Sequence, residues 1–409
     1  MSGILAIVSE YNPFHNGHLK HLKTSKQITK ADFSIAVISG NFVQRGDTSI
    51  VDKWTKAEMA LKAGFDIVLE LPTIYSISSA ENFAEGAIKI LNNLGVVDYI
   101  SFGSELGELS PLNDLANLLY KEPKELSVLI NQYLKTGVSY PRAREMALMQ
   151  FLGGHPKHKE ALNNPNNILG IEYLKALKKY KSTIKPITIK REYSDHNSKT
   201  TIKQGIASST AIRTFIQKKK NIHTLVPFET YELLEDRIQN GKIISSLAVF
   251  EKEIIYTLRR MTLPEIACLP DVSEGLENRI KMAANNCNNL NDLIENIKSK
   301  RFTQARIQRI LLYALLNISQ KDMNESKKLT PYVRVLGFNK HGKKIISAIA
   351  KQNPKTHVII SLKKFMENNT DNHLRNMISK DILATNIYTL GYKNESLANL
   401  DYTHKVIEI

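Results

Sequence analysis

The first half of the chain alternates short apolar runs with longer segments in which apolar residues recur every three or four positions. Short runs bounded by turn residues predict buried strands, and the longer spacing predicts helices packed on a parallel sheet. We predict strands at residues 4–8, 33–38, 67–71 and 99–102 and helices at residues 18–28, 54–63 and 82–94. A later run, residues 184–189, predicts a fifth parallel strand beside the first. This α/β order places a ligand at the carboxyl ends of the strands.

The pattern changes near residue 218, where the strand-sized runs stop and helical spacing takes over. It predicts helices at residues 243–261 and 303–316, followed by a polar linker at residues 319–329. The last part alternates again, and predicts strands at residues 332–338 and 358–362 around a helix at residues 342–351. A chain of 409 residues usually forms more than one domain. We therefore predict a Rossmann-like α/β domain over residues 1–217, a helical domain over residues 218–329 and a small C-terminal α/β unit over residues 330–409.

Composition limits the setting and the kind of partner. The two cysteines, Cys268 and Cys287, are too few for a disulfide framework and lack metal-ligand spacing, so we predict a reducing, cytoplasmic location and no metal site. No stretch approaches the roughly 20 apolar residues of a membrane span, and no signal-peptide pattern is present, so we predict no membrane partner. Lys and Arg outnumber Asp and Glu by 56 to 40, and the formal charge of +16 attracts polyanions such as nucleic acid.

The strongest chemical signal lies between the first predicted strand and the first predicted helix. Residues 10–18 read EYNPFHNGH, and the helix that begins near Gly17 points its N–H groups and partial positive charge at the strand end. His15 and His18 can donate to phosphate oxygens as charge develops during attack at phosphorus. The alternatives are a helix-capping loop with incidental histidines or a metal pair, although no carboxylate or cysteine stands at ligand spacing.

A second signal follows the fifth predicted strand, where residues 207–213 read ASSTAIR. Ser208, Ser209 and Thr210 are favourable helix N-cap residues, so a plain capping sequence is the local alternative. Beside another helix N-terminus of the same sheet, these hydroxyls and Arg213 would form a socket for the β- and γ-phosphates of a nucleotide.

Together, HNGH at residues 15–18 and SSTAIR at residues 208–213 resemble the HxGH and SSTxIR pair of the nucleotidyltransferase superfamily, the relatives of class I aminoacyl-tRNA synthetases. A closer resemblance, carried by residues 10–18, 39–46, 166–173 and 300–309, is to the bacterial tRNA(Met) cytidine acetate ligases, and it extends over nearly the whole chain. It implies a HIGH-type nucleotidyltransferase domain that uses ATP to convert acetate into acetyl-adenylate. The acetyl group would then pass to N4 of the wobble cytidine of elongator tRNA(Met).

The resemblance also implies a set of site residues. ATP would be a substrate, with Mg²⁺ held by its phosphates and no tightly bound prosthetic group, and His15 and His18 would be catalytic. On local grounds alone, Gly103 could equally be a turn glycine, Asn167 a helix cap and Arg191 a surface arginine. Lys20 departs from the family, because many relatives carry an aromatic residue at the helix entry. The implied ATP-binding residues are Ile7, Val8, Ser9, Glu10, Tyr11, Asn12, Pro13, Phe14, His15, Asn16, Gly17, His18, Leu19, Lys20, Gly103, Asn167, Arg191, Ser209, Thr210 and Arg213.

A basic run in the predicted helical domain is the candidate RNA contact. Arg306 and Arg309 lie three apart and share a helix face, and nearby cations extend the run. Two other functions stay open: a small-molecule adenylyltransferase, which would not need these cations, and a non-catalytic RNA-binding protein. The candidate tRNA-binding residues are Lys298, Lys300, Arg301, Arg306 and Arg309.

Overall fold

The computed structural model describes residues 3–154, 156–191 and 205–409. The strands are β1 (Ile4–Ser9), β2 (Phe33–Ser39), β3 (Phe42–Val43), β4 (Asp47–Thr48), β5 (Ile67–Leu71), β6 (Tyr99–Ser104), β7 (Lys185–Lys190), β8 (Val333–Phe338), β9 (Val358–Ile359) and β10 (Ile407–Glu408). Helices of the first half are α1 (Asn16–Thr29), α2 (Lys53–Lys62), α3 (Thr73–Ser76), α4 (Ala80–Leu94), α5 (Leu109–Lys121), α6 (Lys124–Lys135), α7 (Tyr140–Phe151), α8 (Pro156–Asn163), α9 (Pro165–Lys179) and α10 (Ser209–Gln217).

The second half is mostly helical. A short 3₁₀ helix, Leu247–Phe250, precedes α12. The α-helices are α11 (Phe228–Gln239), α12 (Glu251–Arg260), α13 (Leu263–Ala267), α14 (Leu276–Asn286), α15 (Leu290–Ile297), α16 (Gln304–Leu315), α17 (Gln320–Lys328), α18 (Lys340–Gln352), α19 (Leu362–Asn368), α20 (Asn372–Leu390) and α21 (Leu400–Thr403). Within the described ranges, no helix is both long and apolar enough to cross a bilayer.

The central sheet has the order β10-β8-β5-β2-β1-β6-β7, with β9 also paired to β8. The four strands first predicted pair in parallel, as expected for strands joined by crossover helices. The fifth predicted strand, β7, is also parallel, but it pairs with β6, so its expected place beside β1 is wrong. β1 already has a neighbour on each side, β2 and β6, so β7 can only extend the sheet outward.

Helices cover both faces of the parallel sheet, which explains why β2 and β5 are buried along their whole length. One face packs on α4, α5 and α9, and the other on α1, α2, α10 and α11. The chain builds outward from β1 to β2 and β5, then returns to β1's other side with β6 and β7. The carboxyl end of β1 is therefore the switch point where doubly wound sheets bind ligands.

Residues 218–329 are helical as predicted, with two local differences. The predicted linker at residues 319–329 is wrong, because α17 fills it and begins with a capping box between Ser319 and Asp322. The predicted helix at residues 243–261 is shorter, since regular α-helix begins only at Glu251. α16 agrees with the prediction to within one residue at each end.

The C-terminal strands join the sheet of the first half. β8 pairs antiparallel with β5, and β10 pairs parallel with β8. The predicted strand at residues 358–362 is shorter, because β9 ends at Ile359 and α19 begins at Leu362. One sheet thus runs through the first and third of the predicted parts, whose boundaries stay a prediction.

A buried ionic cluster lies where these parts meet. The ammonium group of Lys53 lies 2.9 Å from Glu70 and 2.7 Å from Asp401, and all three side chains are almost fully buried. Arg334 completes the cluster with a 2.7 Å contact to Asp401. Each buried charge therefore has an opposite partner, without which it would cost several kcal/mol, on the order of 3–5.

Candidate active site

A cavity of about 340 Å³ opens at the carboxyl ends of β1 and β6. It brings together the two sequence motifs, although they are far apart in the chain. Helices α1 and α10 both begin at its wall, so two helix N-termini direct partial positive charge toward it. Of the predicted site residues, the cavity is lined by Val8, Ser9, Glu10, Tyr11, Asn12, His15, His18, Gly103, Arg191, Ser209, Thr210 and Arg213.

The start of α1 fixes both histidines. His15 is the N-cap, and its Nδ1 accepts a hydrogen bond from the Gly17 N–H at 3.0 Å. Nδ1 of His18 accepts from the His15 N–H at 3.2 Å, which closes a capping box made of two imidazoles. A neutral imidazole whose Nδ1 accepts must carry its proton on Nε2. Both rings therefore have an Nε2–H donor that the backbone does not use.

The electrostatics of the site keep both rings neutral. Burial, followed by the charge of Arg191, lowers the pKa of His15 to about 3. Burial lowers the pKa of His18 well below its usual value, and the neighbouring His15, Arg191 and His21 act in the same direction. The rings stack with their centroids 3.7 Å apart, so a charge on one would disfavour a charge on the other. At neutral pH the pair therefore carries no charge and can donate hydrogen bonds from Nε2.

The start of α10 forms the opposite wall. The Ser208 hydroxyl caps the helix by accepting from the Ala211 N–H at 3.1 Å, which leaves Ser209 and Thr210 to line the cavity. Arg213 donates to the Asn12 carbonyl oxygen at 2.9 Å and so ties this helix to the first motif. Burial lowers the pKa of Arg213 from the usual value of a guanidinium, and the nearby carboxylates of Asp47 and Glu10 oppose that shift. Its position is thus fixed before any ligand binds.

The short hairpin of β3 and β4 brings Gln44, Arg45 and Asp47 to the cavity. The Gln44 N–H donates to the Glu10 carboxylate at 3.0 Å, so the hairpin is tied to the end of β1. Gly46 adopts φ of +78° at the turn, and a Cβ there would lie 2.7 Å from the backbone nitrogen of Arg309 in α16. The helical region therefore packs directly on a wall of the site.

Lys56 lies beneath the cavity and was not predicted. Its ammonium group donates to the carbonyl oxygens of Glu10, Ser39 and Gly40, at the ends of β1 and β2. Burial lowers its pKa to about 7, although nearby carboxylates oppose that shift. It holds together the two strand ends that carry the first motif and the hairpin.

At the other side, Gly103 and Arg191 lie in contact. A Cβ at Gly103 would lie 3.1 Å from Cγ of Arg191, so a larger residue would displace that side chain. Asn167 is fully buried and does not line the cavity. Its Oδ1 accepts from the Leu106 N–H at 3.1 Å, and its own N–H donates to Glu105, so it fixes the loop after β6.

Comparison with known proteins identifies the family of this chain. A family model described as HIGH Nucleotidyl Transferase matches residues 2–402. The tRNA(Met) cytidine acetate ligase of Thermoanaerobacter sp. (strain X514) is 46% identical over 100% of both chains, and that of Acetivibrio thermocellus is 39% identical over 99% of both. The crystal structure of apo Thermotoga maritima TmcAL is 32% identical, with a TM-score of 0.95 over 100% of this chain and 99% of that one. The chain belongs to the tRNA(Met) cytidine acetate ligase family.

A second crystal form of the Thermotoga maritima protein contains bound alpha-thio ATP, and this member of the tRNA(Met) cytidine acetate ligase family matches it with a TM-score of 0.92 over 99% of both chains. The two sequences are 32% identical, so the Thermotoga maritima protein is a relative of this chain as well as a protein of the same fold. The predicted family and fold class are therefore confirmed, while the roles of individual residues stay predictions.

Some predicted ATP-binding residues of this family member lie behind the cavity wall. Phe14 is fully buried in the core, and the Asn16 side chain donates to the carbonyl oxygens of Gly205 and Thr224. Gly17 and Lys20 line a smaller adjoining pocket that shares His15 and His18 with the cavity. Those outside the walls of both pockets are Ile7, Pro13, Phe14, Asn16, Leu19 and Asn167.

Sequence reasoning missed several residues that line the cavity of this family member. His21 lies three residues after His18, about one turn further along α1, and that spacing was the available sequence signal. Burial and the charge of Arg191 lower the pKa of His21 to about 4. The aromatic residues had no local signal, because each is equally suited to the core. The missed lining residues include His21, Phe83, Phe102, Ile168, Leu169 and Tyr173.

The predicted tRNA-binding cations of the ligase-family chain differ in their surroundings. Arg306 donates to the Asp271 carbonyl oxygen at 2.7 Å, and Arg309 lies 3.5 Å from the Asp271 carboxylate, so both help to hold that loop. Lys300 is exposed, whereas Arg301 pairs with Glu274 at the surface. Lys298 pairs with Glu295 at 3.0 Å and is also exposed.

Proposed function

We propose that this chain is an ATP-dependent ligase that activates acetate as acetyl-adenylate and acetylates N4 of the wobble cytidine of elongator tRNA(Met). One observation carries the proposal: two neutral imidazoles that use Nδ1 to accept from the backbone and carry a proton on Nε2 line the same cavity as the hydroxyl and guanidinium groups of α10. Family membership agrees with the same activity, because the relatives at 39–46% identity are named tRNA(Met) cytidine acetate ligases.

In the first step, a carboxylate oxygen of acetate attacks the α-phosphorus of ATP in line. The new P–O bond forms as the bond to the bridging oxygen breaks, and pyrophosphate leaves with that electron pair. His15 and His18 donate from Nε2 to the oxygens that gain charge in the transition state. Ser209, Thr210 and Arg213 hold the departing pyrophosphate at the start of α10.

Mg²⁺ is the expected companion of ATP in this proposal. Among the described residues, no group of three or more His, Cys, Asp or Glu is placed to hold a metal ion. The residues present therefore fit a cation whose ligands are mainly phosphate oxygens and water, which is the usual binding mode of Mg²⁺ with nucleotides. Bound there, it would neutralise phosphate charge.

In the second step, the N4 amine of cytidine attacks the acyl carbon of acetyl-adenylate. The C–N bond forms, the C–O bond to AMP breaks, and one N4 proton is released to solvent. The base must leave its stack to reach the cavity, which costs least in a single-stranded loop. The exposed cations Lys298, Lys300 and Arg301 would hold the RNA backbone, in a cytoplasmic setting where tRNA is present.

Acetate-dependent exchange of label between pyrophosphate and ATP tests the first step. We expect exchange with acetate. We expect none with nicotinamide mononucleotide or phosphopantetheine, which would be substrates if the protein were a small-molecule adenylyltransferase. Mass analysis of elongator tRNA(Met) nucleosides after incubation with ATP and acetate tests the second step, with N4-acetylcytidine as the expected product. Exchange that occurs only with a phosphorylated metabolite would contradict the proposal. No exchange with any of these substrates would contradict it as well.

A further inference from the structure

The cavity has two chemically different ends, which lie on opposite faces of the sheet. The polar end is built by α1 and α10. The buried residues of these helices, such as Leu22 and Ala211, pack with Tyr11 in the core on one face of the sheet. The apolar end is built by β6, α4 and α9, and its side chains other than Ile168 belong to the core on the other face or pack against it. The residues of the apolar end are Phe83, Phe102, Ile168, Leu169 and Tyr173.

Tyr173 is the polar exception in the apolar end. Its side chain is 1% exposed, and among the described residues its hydroxyl has no hydrogen-bond partner. A buried hydroxyl without a partner costs free energy, so such a group is usually there to meet a ligand or an ordered water. Burial raises the pKa of Tyr173, as does the nearby Glu10 carboxylate, so the hydroxyl is a neutral donor.

The apolar end is rigid as well as buried. A Cβ at Gly170 would lie 2.6 Å from the ring of Phe102, so α9 approaches β6 as closely as a glycine permits. The rings of Phe102 and Tyr173 pack with centroids 5.7 Å apart, which fixes the tyrosine. Ile168 and Leu169 are only half-buried, so they present apolar surface to whatever enters.

In-line displacement decides which substrate group enters this end. The attacking oxygen must approach the α-phosphorus from the side opposite the leaving pyrophosphate. In the proposed function, pyrophosphate is held by α10 at the polar end. The attacking carboxylate must then come from the apolar end, where a small apolar group can pack beside a single hydrogen-bond donor.

We infer that this end is the acyl subsite: the Tyr173 hydroxyl donates to the carboxylate of a short aliphatic acid, and Leu169 with Phe83 bounds its alkyl group. The inference rests on the proposed function and deepens it, because it assigns the selection of the acid to named residues. It also accounts for the missing partner of Tyr173, since the acid would supply the acceptor.

Tyr173→Phe is the sharpest test, because it removes the hydroxyl and keeps the ring that packs on Phe102. We expect the KM for acetate in ATP–pyrophosphate exchange to rise about tenfold, the size of one lost hydrogen bond to a charged group, with the KM for ATP unchanged. The matched control is Tyr180→Phe, just beyond the last turn of α9, whose hydroxyl binds Glu85 away from the cavity. It should change neither KM.

The outcomes separate this inference from the proposed function. An unchanged KM for acetate in Tyr173→Phe, or a change confined to the KM for tRNA, overturns the inference while the function stands. If the wild-type protein supports exchange only with a different carboxylate, the proposed function fails, and the same KM comparison is made with that acid. No exchange with any carboxylate overturns both.

Leu169→Ala provides a second test that does not depend on the hydroxyl. A pocket enlarged by this change should accept a longer chain, and one methylene is typically worth 10–200-fold in discrimination. We expect the ratio of kcat/KM for propionate to that for acetate to rise at least about tenfold. An unaltered ratio in a folded variant that still exchanges with acetate would place the alkyl group elsewhere and overturn the inference.

Discussion

Charged and polar groups are used in opposite ways in the candidate active-site cavity and on the basic surface of residues 298–301. In the cavity, His15, His18 and Arg213 each make a hydrogen bond that fixes their position before a ligand arrives. On the surface, Lys298 and Arg301 have side chains 41% and 42% exposed and pair with acidic neighbours that are themselves exposed. Such pairs contribute little to stability and exchange readily for other anions.

This difference suggests that the cavity groups determine the reaction rate and that the surface cations determine the affinity for RNA. Preorganised donors pay no reorganisation cost when charge develops, so they act mainly on rate. Exposed cations gain from releasing counterions when a polyanion binds, so they act mainly on affinity and depend on salt. If the two regions divide the work in this way, substitutions in each should affect different measurements.

The largest effect should come from the cavity. His18→Ala removes one Nε2–H donor and one half of the imidazole capping box, and we expect kcat for acetate-dependent exchange to fall about 10²–10³-fold. The dissociation constant for ATP, measured by calorimetry, should change much less. A loss of ATP affinity that accounts for the whole defect would mean that His18 binds the ground state and would break the comparison.

Gly46→Ala tests the contact between the hairpin wall of the cavity and α16, the helix that follows the basic surface. Its Cβ would lie 2.7 Å from the α16 backbone, so we expect a loss of about 2–3 kcal/mol in the free energy of unfolding, together with a higher KM for ATP. Gly137→Ala is the matched control, because Gly137 has a similar φ of +85° with nothing within 4 Å. It should cost only about 1 kcal/mol, the lower end of the penalty for a side chain in the left-handed backbone region. If both variants lost the same free energy of unfolding, the contact between Gly46 and α16 would contribute nothing to stability.

On the surface, the double variant Lys300→Glu with Arg301→Glu should weaken tRNA binding about tenfold or more at 0.1 M salt and leave exchange unchanged. This pair is a cleaner test than Arg306 and Arg309, whose replacement would also release the Asp271 loop. Electrophoretic mobility shifts over a series of salt concentrations would measure it. An unaltered salt dependence would remove these cations from the RNA-binding surface.

The smallest effect concerns pH. In the folded chain, the pKa of His21 is about 4, below the unfolded value of 6.5, so the unfolded state binds more protons between these values. Stability should therefore fall as pH falls from 6.5 toward 4. His21→Gln should reduce that slope by up to about 1.4 kcal/mol per pH unit, measured by denaturant unfolding.

The fold was predictable where local pattern and neighbouring elements agree. Strands β1, β2 and β5 are apolar runs between turns, and the sequence alone placed them to within a residue at either end. The order of strands was less accessible, because nothing in residues 184–189 says whether they pair with β1 or with β6. Helix α17 was missed because it buries little beyond Met323 and Ser326, although its capping box was a usable signal.

The site was predictable in its polar half and not in its apolar half. Histidines beside a glycine, and hydroxyls before an arginine, are uncommon enough to stand out at strand ends. Phe102 and Tyr173 are indistinguishable in sequence from residues that only fill the core, and in fact they also belong to it. Their second role arises from long-range packing between β6 and α9, which local pattern does not encode.

The buried cluster of Lys53, Glu70, Arg334 and Asp401 has a consequence for synthesis on the ribosome. Lys53 and Glu70 emerge early, whereas Asp401, which also neutralises Arg334, is added more than 300 residues later. Until then, the ammonium group at the base of α2 lacks one of its two carboxylate partners. A nascent chain stalled before Asp401 should therefore hold the nucleotide-binding half in an unfinished, protease-sensitive state, and a fragment ending at residue 217 should not reproduce the enzyme.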